Sequence, residues 1–157
     1  MLALGPVVMM VGFFTWPIGD DEFGQAALDS LKAADDNMLY ISAILAATGV
    51  LMIFGGLFLL SQDLMANSGK MERDMLLMSR IGFMFAFTVF YLFFGMSMEA
   101  NLLVKEQYDH LTAEESNDLA LDVINLSNYI WGSVPIAWGT ALLLLGVTAV
   151  RTVAPKE

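Results

Sequence analysis

Residues 37–62, which read NMLYISAILAATGVLMIFGGLFLLSQ, contain no charged side chain and lie between Asp36 and Asp63. A helix of about 20 residues crosses the roughly 30 Å hydrocarbon core of a bilayer, so this stretch is long enough to do so. Inside lipid every backbone N–H and C=O group needs a partner within the protein, and a helix provides those partners from its own residues. The stretch therefore predicts a transmembrane helix.

Three further stretches also lack charge, at residues 1–19, 81–98 and 123–150. The first has no Lys or Arg before its apolar run, which argues against a cleaved signal peptide and favours a short span. We predict an all-α fold, an integral membrane four-helix bundle with two short outer interfacial helices in a single domain over 1–157. The predicted segments are a span over about 2–17, an outer loop and helix over 18–36, a span over 38–61, a cytoplasmic turn over 62–72, a span with an extension over 74–106, an outer loop and helix over 107–127, and a span over 129–151.

The composition supports the membrane interpretation. Of the 157 residues, 57% are apolar and 15% are charged, and the mean hydropathy is +0.65. A soluble domain of this size has too little interior to bury so much apolar surface. The chain contains no cysteine, which argues against a disulfide-stapled secreted domain. The composition thus argues against a soluble enzyme.

The basic residues predict the orientation of the spans. Five of the seven Lys and Arg residues lie between the second and third spans or in the C-terminal tail. Because Lys and Arg concentrate in cytoplasmic loops, both termini and the middle loop are predicted to be cytoplasmic. The predicted location is the inner (cell) membrane, with the other two connections outside.

Thirteen of the 17 acidic residues lie in the two predicted outer connections. Residues 20–36 hold six acids and one Lys, and residues 99–122 hold seven acids and one Lys, in a chain of net charge −10. Such a surface concentrates cations and repels nucleic acid. It is either a solvated face suited to salty surroundings or a surface that collects cations.

Both outer connections have the pattern of amphipathic helices. Ala27, Leu28 and Leu31 recur at helical spacing in a polar background. Thr112 and Glu115 match the capping box, in which the two side chains bond to each other's backbone N–H groups at a helix start. We expect each helix to lie along the membrane interface.

Rows of small residues predict which spans pack tightly. Ser42 and Ala46 form such a row in the second span, and Ser133, Ala137 and Ala141 form another in the fourth. Small side chains let helices approach closely where lipid removes the hydrophobic driving force. We therefore expect the second and fourth spans to form the tight helix-packing contact.

The third span carries a stripe of large aromatic residues. Phe83, Phe87, Phe90 and Phe94 recur on one side of the predicted helix. A stripe of this kind favours a surface that faces lipid or a partner, rather than a cofactor pocket. Bound lipid is expected, and no organic cofactor is predicted.

One candidate metal site can be built around the single histidine. If the third span continues as a helix, Glu99, Glu106 and His110 share one face, and Glu with His four residues later can hold a divalent metal. Acids from residues 20–22 would have to complete the site. The alternative is that Glu106 and His110 form a solvated helix end and that Glu99 marks the membrane boundary.

The sequence predicts no enzyme, because it has no cysteine nucleophile, no catalytic triad setting and no glycine-rich phosphate loop. The leading hypothesis is a non-catalytic subunit, including an accessory subunit of a membrane enzyme, with membrane lipids and other membrane subunits as partners and no nucleic acid. A metal-handling or redox-partner subunit is one alternative. The other is a small homo-oligomeric transporter or channel with a cation-attracting vestibule, for which the available polar lining is Ser42, Thr48, Thr88, Ser97, Ser133 and Thr140.

Overall fold

The computed structural model describes residues 2–19, 22–105 and 108–153, and all regular secondary structure in these residues is helical. The helices are α1 (Leu4–Phe14), α2 (Gln25–Ala33), α3 (Asp36–Ala66), α4 (Lys70–Val104), α5 (Ala113–Trp131) and α6 (Val134–Val153). The all-α prediction is therefore confirmed.

Three helical stretches are long and apolar enough to cross a membrane. They are α3 with 31 residues, α4 with 35, and the 40-residue stretch Ala113–Thr152, in which only residues 132 and 133 separate α5 from α6. Helix α1 has 11 residues, which corresponds to about 16 Å of helix and is short of the ~30 Å hydrocarbon core. The structure is thus compatible with a helical membrane bundle, with three stretches long and apolar enough to cross a membrane, and it does not confirm a fourth.

Several helix boundaries differ from their predicted positions. The turn between α3 and α4 covers only residues 67–69, so α4 begins at Lys70 rather than 74 and ends at Val104 rather than 106. Helix α5 extends to Trp131, beyond the predicted end at 127. Pro135 is the second residue of α6, a position where its missing N–H costs no helical hydrogen bond.

Helix α1 packs along α3 through glycines. A Cβ atom added to Gly12 would lie 2.3 Å from the backbone nitrogen of Ala46, and one added to Gly49 would meet the α1 backbone equally closely. The Ser42 hydroxyl donates a hydrogen bond to the carbonyl oxygen of Thr15 at 2.9 Å. The small-residue row of the second span therefore contacts α1, and the prediction that it packs against the fourth span is wrong.

The small residues of the fourth span contact α4. The buried Ser79 hydroxyl donates to the carbonyl oxygen of Ala141 at 2.7 Å. A Cβ atom on Gly82 would lie 2.9 Å from the Cβ of Ala141 and 3.3 Å from the carbonyl oxygen of Ala137. Ser133 instead donates to the carbonyl of Ile130, at the junction of α5 and α6. Both predicted rows pack closely, but each against a different helix.

An aromatic cluster fills the centre of the bundle. Phe83, Phe90 and Phe94 are only 1%, 2% and 5% exposed, so the prediction of an outward-facing surface is wrong for these three residues. They pack with Phe54 of α3, Phe13 and Trp16 at the end of α1, Trp131 of α5 and Trp138 of α6. Aromatic side chains bury a large area each, which explains why the chain uses the stripe internally. Phe87 is partly exposed.

A second buried cluster closes one end of the bundle. It joins α2 to the first turns of α3, the last turns of α4 and part of α5, and its members are Ala27, Leu28, Leu31, Leu39, Ala100, Leu103, Val104, Ala120 and Ile124. We call this end the cap, and the opposite end, where residues 67–69 join α3 to α4, the turn end. The apolar stripe of the first outer connection, Ala27, Leu28 and Leu31, is buried in this cluster.

Candidate functional site

Polar side chains of α4 hold the connection between α2 and α3 at the cap. Asn101, which is 1% exposed, donates from Nδ2 to the carbonyl oxygen of Leu31 at 3.2 Å. Lys105 donates from Nζ to the carbonyl oxygen of Ala34 at 2.7 Å and forms an ion pair with Asp36. Lys105 thus covers the Ala34 carbonyl beyond the end of α2, while Asn101 adds a second hydrogen bond to the Leu31 carbonyl, which also accepts the N–H of Ala34.

The start of α5 is fixed in a similar way. Thr112 accepts a hydrogen bond from the backbone N–H of Glu115, and Glu115 accepts one from the backbone N–H of Thr112 at 2.9 Å, so the predicted capping box is present. That N–H group, together with the Thr112 hydroxyl, lowers the pKa of Glu115 below its usual value. Ser116 donates to the carbonyl oxygen of Leu103 at 2.6 Å and so covers the end of α4.

The predicted metal ligands are arranged differently from the expectation. Helix α4 ends at Val104, and the backbone N–H of Leu111 donates to the carbonyl of Tyr108 in a turn, so Glu99 and His110 do not lie on one helix. Glu106 lies outside the described residues, as do Asp20 and Asp21. Within the described ranges no group of three metal-ligating side chains is present, and the metal site stays a prediction.

Glu99 instead contacts a tyrosine. The Tyr108 hydroxyl donates to Oε1 of Glu99 at 2.9 Å. This hydrogen bond, burial and the nearby negative charge raise the pKa of Tyr108 above its usual value. The ring of His110 lies edge-on to the Tyr108 ring, with 5.9 Å between centroids. The arrangement folds the chain after α4 back onto the cap.

The hydroxyl groups considered for a transport path differ in their surroundings. Ser42 donates to the carbonyl of Thr15 on α1, and Thr88 and Ser97 donate to carbonyls of their own helix, α4. Thr48 and Thr140 are exposed on α3 and α6. The aromatic cluster occupies the centre of the bundle, and the transport path stays a prediction.

A concave groove lies between α3 and α4, with a volume of about 620 Å³. Its lining residues are apolar or glycine. From α3 they are Leu51, Met52, Phe54, Gly55, Phe58 and Leu59, and from α4 they are Phe83, Met84 and Phe87. Sequence reasoning missed this groove, because residue periodicity does not show where two helices diverge. Phe87, one of the four predicted surface residues, lines it.

Two arginines lie beside the turn end of this groove. The guanidinium carbon of Arg80 lies 3.8 Å from the ring centroid of Phe58, and its Nη1 lies 3.6 Å from the sulfur of Met65. Arg73 donates from Nε to the Met65 carbonyl at 3.2 Å. The Nε of Arg80 is buried without a hydrogen-bond partner among the described residues. Among the described residues the ion pair is that of Lys105 with Asp36, at the cap, so neither guanidinium pairs with a carboxylate of these residues.

The outward side of α6 is a second distinctive surface. Ile136, Leu143 and Val150 are 72%, 67% and 71% exposed and follow one another at intervals of two helical turns, so they share a face. Gly139 and Gly146 interrupt this row, and a Cβ atom on either would meet no described atom within 4 Å. We call the three large residues the α6 ridge and the two glycines its notches.

The described residues thus form a helical bundle with three stretches long and apolar enough to cross a membrane, a cap held by polar contacts, an apolar groove and an exposed apolar ridge. Comparisons with protein-family models, with curated proteins and with solved structures found no match for this chain.

Proposed function

We propose that this chain is a non-catalytic integral membrane subunit that packs into and stabilises a larger membrane complex. The support for this proposal is that only a small share of the residues in the long apolar helices is buried inside the chain itself. In the most apolar 18-residue segments of α3, α4 and the α5–α6 stretch, 44%, 33% and 22% of the residues, respectively, are buried within the chain. Lipid or other subunits must cover the rest, because exposed apolar surface of this extent is unfavourable in water.

The single observation that favours a protein partner is the α6 ridge with its notches. The α5–α6 stretch has the least buried window of the three. In lipid, glycine lets a neighbouring helix approach closely and gain van der Waals contact that a lipid chain supplies less well. A ridge of Ile136, Leu143 and Val150 beside Gly139 and Gly146 suits a transmembrane helix of another subunit.

The proposed orientation places the cap outside and the turn end in the cytoplasm. Lys70, Arg73, Arg80 and Arg151 belong to segments at the turn end, where Ser68 hydrogen-bonds Thr152, and cytoplasmic sides are rich in Lys and Arg. The membrane of this proposal is the inner (cell) membrane, and the acidic segments lie on its outer side. Helix α1 is the fourth membrane-embedded element of this proposal, docked along α3. The proposed partners of the chain are membrane lipids and other membrane subunits.

The test is the mass of the species extracted in mild detergent. We expect a complex in which the 17.2 kDa chain is joined by a stoichiometric partner. Gly146→Leu fills a notch without clashing inside the chain, so it should release the partner while the chain stays folded. Gly55→Leu is the matched control, because it also extends into open space but on α3. A monomer with no co-purifying protein would contradict the proposal.

A further inference from the structure

We propose that the α3–α4 groove binds one acyl chain of an anionic membrane phospholipid, with the lipid phosphate at Arg80. This inference rests on the membrane embedding assumed in the proposed function. It deepens that proposal by naming a ligand and the residues that select it.

The length of the groove fits a single leaflet. Leu51 and Leu59 bound its α3 side and are separated by about 12 Å along a helix. One leaflet contributes about 15 Å of hydrocarbon, half of the bilayer core. Arg80 precedes the groove residues of α4 by one turn, on the side of the turn end. The groove therefore extends from the level of a headgroup toward the bilayer centre.

The groove is apolar along its length and positively charged at its turn end, which matches the acyl chain and the phosphate of a phospholipid. Its walls carry only apolar side chains and Gly55, which match an acyl chain. At its end the guanidinium carbon of Arg80 lies 3.8 Å from the ring centroid of Phe58, and the guanidinium pairs with no carboxylate among the described residues. Arg73, anchored on the same Met65, adds a second positive charge. Arginine binds phosphate through several N–H donors at once.

The charge beside the groove favours a phospholipid over an apolar partner helix. The groove is lined by apolar side chains and Gly55, and the arginine at its end pairs with no carboxylate among the described residues. This positive charge complements a phosphate, whereas an apolar helix offers no such partner.

The experiment measures lipid retention by native mass spectrometry of the full-length chain in mild detergent. The probes are phosphatidylglycerol and phosphatidylcholine with identical acyl chains. We expect the native chain to retain phosphatidylglycerol preferentially. Arg80→Gln should remove most of that preference, about tenfold or more, as expected for a charge-assisted hydrogen bond. Arg151→Gln is the control, because that arginine contacts Met71 on α4, away from the groove lining.

A second pair of variants tests the acyl-chain part of the site. Gly55→Leu should fill the groove and reduce retention of both lipids, while Gly95→Leu, which also extends into open space but lies outside the groove lining, should leave retention unchanged. Equal retention of the two lipids by the native chain, or an unchanged preference in Arg80→Gln, would overturn the proposal. So would a protein partner that is released by Gly55→Leu, since that would make the groove a subunit interface.

The outcomes separate this inference from the proposed function. A partner complex without preference for phosphatidylglycerol would remove the lipid site and leave the subunit proposal standing. A monomer that still selects phosphatidylglycerol through Arg80 would remove the subunit proposal and leave the lipid site standing.

Discussion

Replacing Gly49 with alanine should push α1 away from α3. A Cβ atom at Gly49 would lie 2.3 Å from the backbone nitrogen of Met9 and 2.5 Å from its Cα. Backbone atoms cannot rotate away as a flexible side chain can. Helix α1 must therefore shift by about 1.1 Å to restore an ordinary contact of 3.4 Å.

Two effects of opposite sign set the size of the change. An extra methyl group forced into a packed interface costs about 1–3 kcal/mol, whereas alanine in a helix interior is favoured over glycine by about 0.5–1 kcal/mol. The shift also strains the hydrogen bond from Ser42 to the Thr15 carbonyl, now 2.9 Å long. We expect Gly49→Ala to lower the free energy of unfolding by roughly 1–2 kcal/mol.

The assay compares this variant with Gly55→Ala, on the same helix, where a Cβ atom would meet no described atom within 4 Å. The control should be neutral or stabilised by up to about 1 kcal/mol. Unfolding in mild detergent gives the free energies. Maleimide labelling of Phe13→Cys, in a chain without natural cysteine, reports separation of α1. Equal stabilities and equal labelling rates in both variants would refute the packing argument.

Three further predictions concern the cap. Asn101→Leu removes the buried hydrogen bond to the Leu31 carbonyl, which keeps its bond from the N–H of Ala34, and should cost about 0.5–1.5 kcal/mol of stability in the same unfolding assay; an unchanged stability would exclude a structural role for this bond. Because the pKa of Glu115 is lowered, the ionised side chain stabilises the fold fully above the ordinary glutamate pKa, and this stabilisation is lost as the pH falls through the lowered pKa. Unfolding scans across acid pH should therefore show a loss of stability that is absent in Glu115→Gln. Identical pH profiles for the native chain and the variant would contradict the capping argument. Elemental analysis of purified protein tests the predicted metal, and His110→Ala with unchanged metal content would remove that histidine as a ligand.

The sequence predicted the features that depend on local pattern. The lack of charge over residues 37–62 identified the centre of α3, because length and polarity alone decide whether a helix can lie in lipid. The pair Thr112 and Glu115 identified the start of α5, since a capping box involves only four consecutive residues. Pro135 lies at the start of α6 for a similarly local reason.

Features that depend on distant contacts were not predictable in the same way. Ala46 and Ala141 mark close helix contacts, but a small side chain does not specify which helix fills the space. Phe90 lies on a stripe whose periodicity is visible, yet the stripe faces inward because aromatic residues from other helices surround it. Helix α4 ends at Val104 without a local stop signal, where Ser116 of α5 bonds to the Leu103 carbonyl.

The most direct test is labelling of single cysteines in intact cells with a membrane-impermeant maleimide. Asp118→Cys places the label on exposed α5 at the cap, and Asn67→Cys places it on the exposed turn between α3 and α4. If the apolar helices cross the membrane with the acidic segments outside, Asp118→Cys reacts in intact cells and Asn67→Cys reacts only after permeabilisation. Reaction of both sites from the same side would contradict the membrane-spanning arrangement.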